Sequence, residues 1–190
     1  METLLQRRRM MIACRPSFRP VQIITNGNFA DGLSSWSLMT SASTNASVSN
    51  GELLLIKKND RNIGARVINT VSSGLVDITH FYYLRCDMKD IDGTCYMHFS
   101  SDGAVASNTV IQSSNTAWER RGIVTKPKGS NNKVCLRVGS STTPEGKSGY
   151  FKNAICIDLT ATFGAGNEPT LAECEAMFTD DYYPYYVPAI

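Results

Sequence analysis

A succession of short apolar runs, each closed by a turn signal, dominates the chain between residues 21 and 160 and most narrows what it can fold into. Val21–Thr25, Gly51–Lys58, Ile63–Thr70, Phe81–Lys89, Thr94–Ser101, Trp118–Lys126, Lys133–Ser140 and Gly149–Leu159 read as strands. Clusters of Gly, Ser, Asn, Asp or Pro part them, with Asn26-Gly27, Asp31-Gly32 and Asp92-Gly93 as turn or hairpin signals. In the Phe81–Lys89 run Tyr82, Leu84, Cys86 and Met88 alternate with polar or larger residues. That period of two is what a half-buried strand requires. Many such strands with turns between them predict an all-β sandwich or barrel.

The ends differ from this middle. Residues 1–20 carry Arg7, Arg8, Arg9, Arg15 and Arg19 against the single acid Glu2. Leu4, Leu5, Met11 and Ile12 recur at helix-like spacing between them, and Pro16 and Pro20 then extend the chain. This segment reads as a basic arm. Residues 161–190 form a third region. Thr170 and Glu173 have the spacing of a capping box, and Leu171, Cys174, Met177 and Phe178 lie on one helical face. The closing stretch from Asp180 to Ile190 is aromatic and broken by proline, too apolar for a free solvated tail.

Composition narrows the classes further. Charged residues make up only 19% of the 190 residues, below the usual quarter, which suits a polar β-rich surface better than a helical cytosolic one. No apolar run reaches the roughly 18 residues of a membrane-spanning helix. Met10–Ala13 is too short for the apolar core of a signal peptide, and the same shortage argues against lipid attachment at Cys14. The six cysteines contain no C-x-x-C pair and the histidines number two, so zinc and iron–sulfur spacings are absent. Cys86, Cys135 and Cys156 lie inside apolar runs, where a thiol acts as a small core residue. Reduced cysteines are the preferred reading, with a Cys86–Cys95 bridge across a hairpin as the alternative.

Four stretches carry two resemblances. Thr25–Trp36 (TNGNFADGLSSW), Ala117–Arg120 (AWER) and Tyr150–Leu159 (YFKNAICIDL) resemble, in this order, the opening, late aromatic and closing strands of carbohydrate-binding modules of the galactose-binding-like jelly-roll class. In the closing strand Lys152 and Asn153 replace the two acids usual there. The string Asp158–Thr170 (DLTATFGAGNEPT) resembles a motif of structural proteins of tailed bacteriophages, where it follows such a sandwich and precedes a short helix and a Tyr/Pro ending. The resemblance implies a virion protein assembled in the host bacterial cytoplasm. The organisation expected is a basic anchoring arm over 1–20, a jelly-roll β-sandwich over 21–160, and a helix with an aromatic tail over 161–190.

Candidate site residues follow from strand periodicity. Tyr96, His98 and Ser100 share one face of their strand, Met97 and Phe99 the other. The polar face is the expected glycan surface, with Tyr82 and Trp36 as further candidates; a solvated Tyr/His row without ligand is the bland alternative. Trp36 and Trp118 could be sugar platforms, but large aromatics in a sandwich are usually buried, and the core reading is preferred for both. The resemblance leaves a structural calcium open at Asn28 and Asn153, although carboxylates, the usual hard oxygen ligands, are missing there. Asp87, Asp90, Asp92 and Gly93 are better read as a polar hairpin than as a calcium loop. No other cofactor is implied. No motif places a nucleophile, a general base or facing carboxylates, so the chain reads as a non-enzyme.

Leu4, Leu5, Arg7, Arg8, Arg9, Met11 and Ile12 are the expected anchor to other capsid or tail proteins. Their interleaved apolar residues favour a protein groove over nucleic acid. Neither membrane nor cofactor enters this picture; homo-oligomerisation does. The function expected is a virion structural protein, either a capsid decoration or head fibre or a tail-associated module. The alternative is a receptor-binding lectin for host-surface glycans.

Overall fold

The computed structural model describes residues 19–39, 41–58, 64–72, 74–101, 104–105, 111–129 and 132–187. Eleven strands are described: β1 Trp36–Leu38, β2 Thr44–Ser49, β3 Glu52–Lys57, β4 Ala65–Asn69, β5 Tyr82–Asp90, β6 Cys95–Ser101, β7 Ala104–Val105, β8 Ile111–Ser113, β9 Glu119–Thr125, β10 Lys133–Val138 and β11 Ser148–Asp158. Two short helices follow, α1 Leu159–Phe163 and α2 Leu171–Met177. One sheet runs β1-β4-β10-β6-β7 with β8 also on β6; the other runs β2-β3-β11-β5-β9. Every pairing is antiparallel. This is the predicted jelly-roll β-sandwich.

The two sheets close on one core because each strand alternates. Leu53 and Leu55 of β3, Tyr82, Leu84, Cys86 and Met88 of β5, and Phe151 and Cys156 of β11 meet Val67, Met97, Phe99, Val134, Leu136 and Val138 from the opposite sheet. Tyr82, Leu84, Cys86 and Met88 thus share the core face as read, but β5 is buried on both faces rather than half-buried, because the outer face is covered too. Residues 21–25 form no strand; Gln22 instead makes isolated bridges to Ile157 and Tyr186, so both ends of the described chain meet beside β11. Strands β1, β2, β7 and β8 are additional to those expected from the sequence, because they are short or polar: β2 reads Thr-Asn-Ala-Ser-Val-Ser.

The opening motif works as a peg. Asn26 adopts a left-handed conformation with φ +50°, which asparagine tolerates better than most residues. Its amide nitrogen donates to Gly32 O at 3.0 Å and Ser34 O at 2.9 Å, and its Oδ1 accepts from Asp31 N at 3.1 Å. Gly27 is required by space: a Cβ there would sit 1.9 Å from Ala154 O of β11. The loop thereby seats Phe29 and Trp36 in the core with ring centroids 5.5 Å apart.

Cys86, Cys95, Cys135 and Cys156 are free and, like Cys174, buried, so Cys86 and Cys95 form no bridge. Burial pushes the Cys95 and Cys135 thiols up to about 12, away from reactivity. Asp90 Oδ1 accepts from Gly93 N at 2.7 Å, in the manner of a polar hairpin.

Candidate functional site

The outward face of the six-stranded sheet carries a row that only the register reveals. Arg137 lies opposite Arg66 on one side and Tyr96 on the other, and Tyr96 lies opposite Gln112. Arg66, Arg137, Tyr96 and Gln112 thus run side by side across β4, β10, β6 and β8. The Arg137 guanidinium stacks 4.2 Å from the Tyr96 ring centroid, a cation–π contact. Burial, and after it the like charge of Arg137, holds the Arg66 guanidinium below its ordinary value, although Cys135 acts the other way. Like charges directly opposite across strands are unfavourable on their own. At the Gln112 end the row runs into a polar depression of about 500 Å³ bordered by Ser113, Asn115, Glu119 and Arg121.

Tyr96, His98 and Ser100 do share this face, with Cys95, Met97 and Phe99 turned into the core. The structure corrects their exposure: Tyr96 is half-buried, but His98 and Ser100 are buried. The His98 imidazole Nδ1 lies 2.7 Å from the carbonyl of Phe99, which can only accept, so Nδ1 carries the hydrogen. Its Nε2 and the Ser100 hydroxyl are buried without hydrogen-bond partners among the described residues. Burial, the largest effect, together with Arg137 and Arg66 brings the His98 pKa down to about 4, against the opposing hydrogen bond to Phe99.

Two other candidates are core residues. Tyr82 is fully buried, its ring set edge-on to Phe99 at 5.2 Å and its hydroxyl accepting from Asp77 N at 2.8 Å. Trp36 is buried and its indole N–H donates to Asn26 O. Neither offers a face to a sugar, because the period-two alternation and the Asn26 loop turn both inward. Trp118, expected in the core, is instead half-buried on the outer face of the five-stranded sheet.

Asn28 and Asn153 have other contacts. Asn28 Oδ1 accepts from Ala30 N at 3.4 Å, and the Asn153 amide, at the β11 bulge, donates to Asp87 Oδ2 at 2.8 Å. Among the described residues no cluster of three or more His, Cys, Asp or Glu could hold a metal. Leu4, Leu5, Arg7, Arg8, Arg9, Met11 and Ile12 lie outside the described residues.

The outer face of the five-stranded sheet divides in two. One half is covered by α2 and the tail: Cys174, Met177 and Phe178 pack on Tyr83, Ile155 and Ile157, with Phe178 stacked on Tyr83 at 5.7 Å. Buried Arg85 donates to the carbonyls of Phe178, Asp180 and Asp181, and Arg120 bridges Asp87 and Asp181. Desolvation acts to raise the Asp87 carboxyl, but Arg120 and Asn153 together outweigh it and hold it below its usual range. On the other half Tyr150 lies opposite Lys89, and the Trp118 ring lies under the ammonium groups of Lys89 and Lys152.

The Asp158–Thr170 string explains itself in this seam. Asp158 caps α1 through Ala161 N at 2.8 Å, and Gly164, at φ +88°, ends that helix. Thr160 donates to Glu168 at 2.7 Å, and Thr162 accepts from Val21 N at 3.0 Å. Thr170 and Glu173 complete the expected capping box. The string welds the last strand to both the first residues of the sandwich and the tail helix.

No family model matches the sequence, and no curated protein matches it. Among solved structures the chain is similar to an arabinose-bound α-L-arabinofuranosidase, with a TM-score of 0.55 and 15% identity over 86% of this chain and 30% of that one. It thus spans about 30% of that enzyme. A family 16 carbohydrate-binding module is similar at a TM-score of 0.51 and 16% identity, over 72% of this chain and 99% of the module. A CBM4 structure is similar at 0.51 and 9%, over 71% and 99%. The fold is the jelly-roll β-sandwich of carbohydrate-binding modules.

Proposed function

We propose that this chain is a glycan-recognition module that reads sugar on the outward face of its six-stranded sheet. The cross-strand row Arg66–Arg137–Tyr96–Gln112 carries the reading. It joins an aromatic ring, planar donors and a side-chain amide on a rigid sheet, the mixture that holds a sugar ring and its hydroxyls. The likeness in fold to two carbohydrate-binding modules along almost their whole length supports it. The role is binding, not catalysis.

The test is a glycan array with the full chain. Selective binding lost in Tyr96→Ala and Arg137→Ala, but kept in the exposed-site control Lys128→Ala, supports the reading. An array without selective binding, or binding indifferent to both substitutions, refutes it.

Display of this module on a tailed-phage particle is the finer part of the proposal. Support for it is the resemblance of Asp158–Thr170 and the composition of the two ends. In this reading the arm and tail grip neighbouring virion subunits, other copies of the chain among them, and the sandwich faces outward. Removing residues 1–18 should leave the sandwich folded and take the protein off the particle; normal incorporation of the shortened chain refutes the anchor.

A further inference from the structure

The half of the five-stranded face that the tail leaves uncovered holds a cluster unused by the proposed site. Lys89 Nζ lies 4.5 Å from the Tyr150 ring centroid and 5.0 Å from that of Trp118. Lys152 Nζ lies 4.0 Å from the Trp118 centroid. The two rings are 6.4 Å apart and inclined by 62°. All four side chains are half-buried, so each keeps part of its surface in solvent.

The charges nearby are matched except at one point. Lys152 pairs with Glu52 at 3.5 Å, and Arg120 takes up Asp87 and Asp181. Among the described residues no carboxylate lies within ion-pair distance of Lys89. Its ammonium is held between two π faces, which attract it but cannot accept its hydrogens as an anion does. A burial-inert aromatic cluster would call for an apolar residue at this position rather than a lysine.

We infer that Trp118, Tyr150, Lys89 and Lys152 form a second binding site, for a sugar that bears a carboxylate. The rings supply surface to the C–H side of a pyranose, and Lys89 supplies a charge-assisted hydrogen bond to its carboxylate. One unmatched ammonium fits one carboxylate. A polyanion such as nucleic acid needs a run of cations that this face, with Glu52, Asp87 and Asp181 alongside, does not offer. The site is on the opposite sheet from the Tyr96 row and does not rest on it.

The experiment is calorimetric titration of the full chain at low salt with sialyllactose and trigalacturonate, against lactose and galactotriose as neutral counterparts. At least one acidic sugar should bind at least about tenfold tighter than its neutral counterpart, as a single charge-assisted hydrogen bond gives. Lys89→Met should remove that preference, Lys89→Arg should keep most of it, and added salt should weaken it. In the wild-type chain the indole N–H resonance of Trp118 should shift on titration while that of Trp36 stays, a readout independent of how the variants fold. Tyr96→Ala should leave acidic-sugar binding intact even where it removes binding on the other face. Equal affinity for acidic and neutral sugars, no binding of either acidic sugar, wild-type affinity in Lys89→Met, an unmoved Trp118 resonance, or loss of acidic-sugar binding in Tyr96→Ala would each overturn the inference.

Discussion

The indole N–H of Trp36 donates a hydrogen bond to the backbone carbonyl of Asn26, at 3.0 Å and ten residues back along the chain. The two residues bracket the opening loop, and Asn26 spends every polar atom of its side chain inside it. The loop then positions Gly27 against Ala154 and so ties the first residues of the sandwich to its last strand.

Asn26→Ala should therefore cost about 2–4 kcal/mol, the sum of three lost part-buried hydrogen bonds to the loop backbone and a left-handed φ that alanine resists. Asn28→Ala, two residues on and with one long contact, should stay within about 0.5 kcal/mol. Urea unfolding followed by Trp fluorescence measures both. Equal effects at the two positions would contradict the peg.

Arg85 is the second tie, between β5 and the tail. Arg85 is 1% exposed, yet among the described residues no carboxylate pairs with it directly; backbone carbonyls of Phe178, Asp180 and Asp181 do. Burial lowers its pKa from the ordinary value. Arg85→Met should keep the apolar stem and release those carbonyls, loosening the tail by about 2–3 kcal/mol. Amide exchange in residues 171–187 should quicken by roughly thirtyfold to a hundred-and-fiftyfold, with β10 and β6 unchanged. A tail that stays as protected as in the parent chain would show that the apolar contacts of Phe178 suffice alone.

His98 sets an acid limit on stability. Its folded-state pKa, about 4, is below the ordinary value of 6.5, so the unfolded chain takes up the proton first as pH falls. The stability it contributes is whole above pH 6.5 and drains between there and about 4, to a total of roughly 3 kcal/mol. Thermal melts across that window should show a fall that His98→Phe removes. A parent and variant with parallel pH profiles would mean that the imidazole is solvated in the fold.

Much of this molecule is legible from residue order. Strands β3, β4, β5, β6, β9, β10 and β11 fall in the apolar runs that the turn signals mark off, and the capping box of α2 sits where Thr170 and Glu173 put it. The common face of Tyr96, His98 and Ser100 follows from strand geometry. These are local properties, set by a few neighbours along the chain and by the sign of each side chain's transfer free energy.

What the order could not contain is which strands become neighbours. Arg66, Tyr96, Gln112 and Arg137 are scattered over some seventy residues, and only the pairing of β4, β10, β6 and β8 makes them one row. Trp118 reads as core because large aromatics usually are; it lies outside, under the Lys89 ammonium on the outward side of β5. Tyr82, a glycan candidate, lies inside for the converse reason, and Trp36 lies in the core, the preferred reading of so large a ring. Period two says that alternate residues face opposite ways, but the choice of which way is inward belongs to the sheet that arrives to cover them.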